Sequence, residues 1–266
     1  MNIKKLDTYL SLCTEVYDLS KPKPPEDAYA FYRSYVESSK GPALEPMCGS
    51  GRFLLPLMEE GFDIHGFDAS ENMLEALQVK AKKLNLEPNI WQGFIQDLNR
   101  EDKYNLIFIP SGSFGIITDI TQVKEALQIF YNHMNNDGIL LFEVESMNSV
   151  PELGVWRGAM FYRNDGSKII SSMLPTQGED NILMSSVFPT HEEGNICSFI
   201  QKYELVEQNI ITKTEVEELV LRLYKKDDLL KILQEIGFKD INIIKTFDKN
   251  KPADDDDKFF VYECRK

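Results

Sequence analysis

The 266-residue chain is poor in the residues that announce disulfide scaffolds, metal centres and membrane spans. Its four cysteines, Cys13, Cys48, Cys197 and Cys264, lie far apart, and its three histidines stand in no close spacing with them. That pattern excludes a compact disulfide framework and offers no zinc motif, so reduced thiols and no metal are expected. No apolar run approaches the length needed to cross a bilayer. Met1 to Leu12 alternates charged and apolar side chains without the apolar core of a signal peptide, which predicts a cytoplasmic protein with no membrane partner. Positive charge is also scarce: 29 Lys and Arg against 43 Asp and Glu leave a formal charge of −14. The bases are dispersed, so the field repels phosphate backbones and no nucleic-acid partner is expected.

What is present is ordinary globular material, 42% hydrophobic and 27% charged, enough for one large core or a core with an appended lobe. From Ala43 to Val144, short β-type runs alternate with helical stretches, the rhythm of parallel strands joined by helical crossovers. Strands are predicted at Ala43 to Pro46, Asp63 to Asp68, Asn89 to Gly93, Tyr104 to Ile109 and Ile139 to Val144. Helices are predicted at Gly51 to Glu60, from an N-cap at Ser70 to about Leu84, and at Thr121 to Met134, with Asn135-Asn136-Asp137-Gly138 as a turn.

After Ser146 the rhythm changes. Trp156 to about Leu223 holds β-rich runs separated by turn signals such as Asn164-Asp165-Gly166 and Glu192-Glu193-Gly194-Asn195, an antiparallel insertion rather than more crossovers. An amphipathic helix, Lys226 to Ile236, is then closed by Gly237 and followed by strands at Lys239 to Phe247 and Phe259 to Cys264, separated by a polar loop. Asp254 to Asp257 reads as a solvated, self-repelling part of that loop. The expected organisation is a core of residues 1–150 and 224–266, with 1–40 as a helical cover, and a β-rich insertion at 151–223 serving as an acceptor-side or oligomer contact.

The most informative segment is Glu45-Pro46-Met47-Cys48-Gly49-Ser50-Gly51-Arg52, where a strand runs into a glycine-bearing turn and then a helix. Glycines there let the backbone bend sharply and approach a ligand closely. Asp68 ends the next strand 17 residues after Gly51, where a carboxylate can accept hydrogen bonds from both hydroxyls of a ribose. A dinucleotide fingerprint wants a third glycine where this chain has Leu54. Glu45 would repel a pyrophosphate yet attract a cationic α-amino group, which favours a sulfonium amino acid over a diphosphate.

With these residues in view, Ala43 to about Val144 resembles the class I S-adenosylmethionine-dependent methyltransferases of small-molecule type. Leu44 to Arg52 corresponds to the first motif, and Gly66-Phe67-Asp68-Ala69-Ser70-Glu71-Asn72-Met73-Leu74 to the second. Gly93-Phe94-Ile95-Gln96-Asp97-Leu98 occupies the stretch where the family commonly places an acid near the adenine amino group. The resemblance implies a Rossmann-like, mostly parallel sheet of seven strands with flanking helices, the antiparallel insertion following strand five. It implies S-adenosyl-L-methionine as cofactor, with S-adenosyl-L-homocysteine as product. The cofactor residues it implies are Tyr17, Glu45, Met47, Gly49, Gly51, Arg52, Asp68, Ala69, Met73, Asp97, Leu98 and Pro110. Two departures stand out: Met47 replaces the usual glycine, which should bend the loop differently, and the segment Ile109-Pro110-Ser111-Gly112-Ser113-Phe114 lacks the family's frequent acid.

Methyl transfer from a sulfonium is an in-line displacement, so a protein mainly aligns the partners and excludes water, and the cofactor motifs identify no catalytic residue. Tyr17, Tyr29 and Arg33 could cover the cofactor, while Glu143, Glu145, Trp156, Arg157 and His191 could line a pocket for a small-molecule acceptor. N- and O-methylation both remain open, as do a monomer and a homodimer. A noncatalytic S-adenosylmethionine-binding regulator and a nucleic-acid methyltransferase are the alternatives. The latter should show a basic face or an Asn-Pro-Pro-Tyr motif after strand four.

Overall fold

A strand buried at successive positions is covered on both faces, and two such strands set the centre of this molecule. They are β1 (Ala43–Pro46) and β4 (Tyr104–Ile109). The protein is described by a computed structural model over residues 6–149, 157–175 and 195–266. Around this pair stand β2 (Ile64–Asp68), β3 (Asn89–Gln92) and β5 (Met134–Glu145), all parallel. Beyond β5 lie β12 (Phe259–Arg265), β10 (Lys239–Lys245) and β11 (Asp248–Pro252), each antiparallel to its neighbour. The sheet order is β11-β10-β12-β5-β4-β1-β2-β3.

Helices cover both faces. On one side pack α2 (Glu26–Ser39), α3 (Leu54–Glu59) and α4 (Glu71–Lys83); on the other pack α5 (Ile120–His133) and α6 (Leu230–Ile236). The alternation of β4 divides the core between them. Leu106 and Phe108 face the first layer, Ile107 and Ile109 the second, and all four are fully buried. Each such side chain contributes roughly 1.5–3 kcal/mol on leaving water. Ser70 is the N-cap of α4, its hydroxyl accepting the Met73 N–H at 3.2 Å.

The seven anticipated core strands are present, and the polar loop after β10 adds an eighth, the short edge strand β11. The wholly polar run Asp248-Lys249-Asn250-Lys251 hid it, because an edge strand needs no apolar face. The Asn135 to Gly138 turn is instead absorbed into β5 as a bulge: Met134 already pairs with Tyr104, and five residues of β5 span what two of β4 span. The two terminal-side helices begin later than their apolar patterns suggested, α3 at Leu54 and α6 at Leu230. The acidic run is likewise tied down rather than self-repelling. Asp257 accepts from Lys245 and from the Asp254 N–H, and Lys226 pairs with Asp255.

A second sheet contains β6 (Arg157–Tyr162), β7 (Lys168–Pro175), β8 (Ile196–Glu207) and β9 (Ile210–Arg222), in that order and wholly antiparallel. Asn164-Asp165-Gly166 makes the turn between β6 and β7, with the Asp165 carboxylate accepting the Ser167 N–H at 2.9 Å. The chain leaves the large sheet and rejoins it at one place: Ser146 bridges Tyr224, whose N–H donates to the Glu145 carbonyl at 2.9 Å.

One face of this second sheet carries α1 (Ser11–Ser20), through Leu12, Cys13 and Val16 packed on Ile169 and Tyr203. No local side chain caps α1. Carboxylates of β9 do so instead: Glu217 accepts the N–H groups of Tyr9 and Leu10 at 2.9 and 2.8 Å, and Glu215 accepts that of Leu12 at 2.7 Å. Acids there satisfy orphan donors and complement the helix dipole.

Candidate active site

The turn after β1 carries three left-handed residues, Met47 (φ 58°), Gly49 (φ 53°) and Gly51 (φ 80°). The two glycines serve different ends. A Cβ on Gly51 would lie 2.8 Å from Leu77 Cγ and 3.0 Å from Leu55 Cγ, so its missing side chain lets α3 and α4 close on the loop. A Cβ on Gly49 would meet only Met73 Sδ at 3.9 Å, and the space it would fill belongs to an open cleft. Met47 takes the positive φ that a glycine adopts freely, at a strain of roughly 1–2 kcal/mol.

Asp68 ties this loop to β2. Its Oδ2 accepts the Gly49 N–H and its Oδ1 the Ser70 N–H, both at 2.8 Å. Burial raises its pKa, and the N–H groups of Ser70, Gly49 and Ala69 oppose that rise. Each carboxylate oxygen keeps a lone pair beyond the one engaged by the backbone.

The cleft encloses about 360 Å³ above the carboxyl ends of β1, β2 and β4, where open α/β sheets bind ligands. Met47, Gly49, Asp68, Ala69 and Met73 form its floor, and Gly93, Phe94, Ile95 and Gln96 one end. Ser111, Ser113, Ile116, Ile117 and Gln122 form the opposite wall. Thr8, Tyr9, Tyr17 and Lys21 roof it from the segment around α1.

Two opposite charges sit just beneath one side. Glu45 is 2% exposed, and its Oε2 has no hydrogen-bond partner among the described residues. Burial first and Asp68 second push its pKa well up, while the Leu54 N–H and Arg52 oppose. Arg52 places Nη1 3.5 Å from the Tyr17 hydroxyl and leaves a buried Nε without a partner.

A second cleft, about 640 Å³, adjoins the first and shares Lys21 and Ser111 with it. Its walls include Arg52, Phe53, Glu143, Glu145, Phe247 and Phe259. Glu143, 6% exposed, accepts from the Tyr32 hydroxyl at 3.4 Å; Glu145 keeps its Oε2 buried and without a partner among the described residues. Burial pushes both carboxyls up to about 7, with Glu145 adding to the rise at Glu143 and Lys21 opposing the rise at Glu145.

Of the residues singled out from sequence, Tyr17, Met47, Gly49, Asp68, Ala69 and Met73 line the first cleft, and Arg52, Glu143 and Glu145 the second. Glu45, Gly51, Leu98 and Pro110 are buried around the first cleft without lining it. Asp97 is exposed, its carboxylate accepting the Phe94 N–H at 3.2 Å and so closing the short turn that presents Phe94, Ile95 and Gln96. Tyr29 and Arg33 lie outside both clefts, bonded to Glu60 on the outer side of α3. Trp156 and His191 lie outside the described residues, and of Arg157 only the backbone in β6 is described. Sequence reasoning missed Tyr9, Lys21 and Ser111. Ser111 directly follows the flagged Pro110, whereas nothing local marks the other two.

Comparison with known proteins agrees with this geometry. Residues 43–138 match the family model described as a methyltransferase domain. A Geobacillus sp. (strain WCH70) protein named for methyl transfer is 27% identical over 154 residues, covering 56% of this chain and 62% of its own length. The glycine/sarcosine N-methyltransferase of Aphanothece halophytica is 21% identical over 240 residues, 89% of this chain and 80% of that protein. The chain thus spans about three-fifths of the length of the first of these relatives. The fold is similar to that of an S-adenosylmethionine-dependent methyltransferase from Clostridium acetobutylicum ATCC 824, with a TM-score of 0.72 and 19% identity over 94% of this chain and 96% of that one.

Proposed function

We propose that this chain, whose residues 43–138 match the family model of a methyltransferase domain, is a class I S-adenosylmethionine-dependent methyltransferase that transfers a methyl group from that cofactor to a small molecule. The observation that carries the reading is the pairing of Gly49, with room where a side chain would be, and Asp68, bonded to the Gly49 N–H at the floor of one cleft.

The residues fit the cofactor in chemical terms. Asp68 retains acceptor capacity for ribose hydroxyls. Phe94 and Ile95 offer apolar surface, and Gln96 polar groups, to a purine. The unsatisfied carboxylate of Glu45 and guanidinium of Arg52 are matched in charge to the amino and carboxylate groups of an amino acid. When bound, the cofactor supplies a methyl group already activated by a sulfonium. The chain's part is to orient it, and Tyr9 and Tyr17 exclude water from above. The second cleft, opening beside Ser111 and Lys21, provides the acceptor's approach. The name of the Aphanothece halophytica relative supports a small amine as one acceptor class. The charge of −14 argues against a nucleic acid.

Calorimetry with S-adenosylmethionine, S-adenosylhomocysteine and NAD tests this. The first two bind and NAD does not; Asp68→Ala weakens binding by roughly 1–3 kcal/mol while the circular dichroism spectrum is kept. Binding of NAD in place of the other two, or indifference to the substitution, would refute the reading.

A further inference from the structure

We infer that the second cleft is built for an alkyl amine that arrives as an ammonium ion, with Glu143 and Glu145 as its counter-charge and Glu145 as the base that removes its proton. The inference rests on the methyl-transfer reading above.

The placement comes first. The cleft adjoins the cofactor cleft, with Lys21 and Ser111 lining both, so a molecule in it lies next to the place where a methyl group would be presented. Its polar floor is the carboxyl end of β5. The register of β5 with β12, Val261 opposite Glu143 and Phe259 opposite Glu145, seats both acids on the same side of the strand.

The chemistry of that floor is specific. A buried carboxylate is costly unless it meets a cation or several donors. Glu143 has a long bond from Tyr32 and the influence of the Ser111 N–H, and the Oε2 of Glu145 has no partner among the described residues. No ion pair within 4.0 Å joins Lys21 to Glu145 among the described residues, although its charge opposes the rise at Glu145. An alcohol entering here would leave the negative charge unbalanced, whereas an ammonium ion would balance it and donate into the empty lone pairs.

The same floor meets the need of the reaction. An ammonium nitrogen has no free electron pair, so a proton has to leave before it can attack. The Glu145 carboxylate takes that proton, the freed pair forms the N–C bond, and the C–S bond breaks with its electrons remaining on sulfur. The positive charge thus passes from sulfonium sulfur to nitrogen, and the departing proton rests on the carboxyl group. The groups facing Glu145 and its partner are Lys21 before α2, Arg52 on the motif loop, Tyr32 on α2 and Cys197 on β8. Of these, Lys21 opposes the rise that burial causes at Glu145, and the Tyr32 hydroxyl and Arg52 oppose it at Glu143.

The test sets methylammonium against methanol, glycine against glycolate, and D-glucosamine against D-glucose. Product mass and S-adenosylhomocysteine release are measured for the wild type, Glu143→Gln and Glu145→Gln. At least one amine is methylated and its hydroxyl counterpart is not. Glu145→Gln lowers kcat by about 100-fold or more and flattens the acidic limb of the pH profile, while S-adenosylhomocysteine affinity, measured by calorimetry, stays within about threefold. Glu143→Gln raises KM more than it lowers kcat. Methylation of the hydroxyl partners, failure of every amine while S-adenosylhomocysteine binds, or an unchanged rate in Glu145→Gln would overturn the inference. Failure of the wild type to bind S-adenosylhomocysteine would remove the methyl-transfer reading itself, and this inference with it.

Discussion

The eight-stranded sheet and the four-stranded sheet solve different problems with different residues. The first buries β1 and β4 on both faces and forms the cleft floor from short turns at strand ends, so its site is local to the motifs that make it. The second buries one face and leaves Met160, Tyr162, Ile200 and Val216 exposed on the other. Its contribution to the site is indirect, through the β9 carboxylates that hold α1 over the cleft more than 200 residues away in sequence. A floor can be written in one stretch of chain, whereas a roof held by a distant strand cannot.

Three substitutions or conditions sharpen that contrast, beginning with the largest effect. Gly51→Ala combines a positive φ with a Cβ 2.8 Å from Leu77 and should cost about 3 kcal/mol. Thermal unfolding then shows a fall of several degrees, and an unchanged Tm would show that Leu55 and Leu77 move aside freely. In the other sheet, Glu215→Gln with Glu217→Gln removes the charge at the start of α1 and costs about 1–2 kcal/mol. The decisive reading is S-adenosylhomocysteine affinity, expected to weaken about three- to tenfold as Tyr9 and Tyr17 loosen. Equal affinity would separate the second sheet from the cofactor site.

The smallest effect concerns the seam between the regions, where Glu143 and Glu145 titrate near 7 in the folded chain and near 4.5 when exposed. Between those values the native state holds more protons than the unfolded one, so their contribution to stability is complete below about pH 4.5 and is lost as pH rises through 7. The ligand-free protein should therefore be less stable at pH 7.5 than at pH 6.5 by about 1 kcal/mol, and the double Gln variant should lose most of that difference. A wild-type Tm that rises over the same interval would contradict the assignment of these shifts.

Most of the large sheet was legible in the sequence because its signals are local. Ser70 capped its helix as its type and position suggested, and Tyr104–Ile109 was found to the residue because the apolar run Leu106–Ile109 within it admits few alternatives. Asn135 to Gly138 misled because turn residues also suit a bulge, and only the pairing of Met134 with Tyr104 decides between them. β11 was unreadable, since an exposed edge needs no periodicity. In the site, glycines and Asp68 were visible through spacing, whereas Asp97 is exposed and closes the turn whose Phe94, Ile95 and Gln96 line the cleft. Tyr9 and Lys21 could not be found, because what brings them to the cleft is the grip of Glu215 and Glu217, a contact with no trace in local sequence.

The bridge between Ser146 and Tyr224 has one further consequence. Loop-closure entropy grows only slowly with the number of residues between two fixed ends, so the stretch joining them can lengthen, shorten or be exchanged at little thermodynamic expense to the parallel strands. Selection is then free to rework the second sheet, and with it the strand that grips the roof, while the turns at the ends of the parallel strands stay unaltered, so the two sheets can diverge on separate clocks.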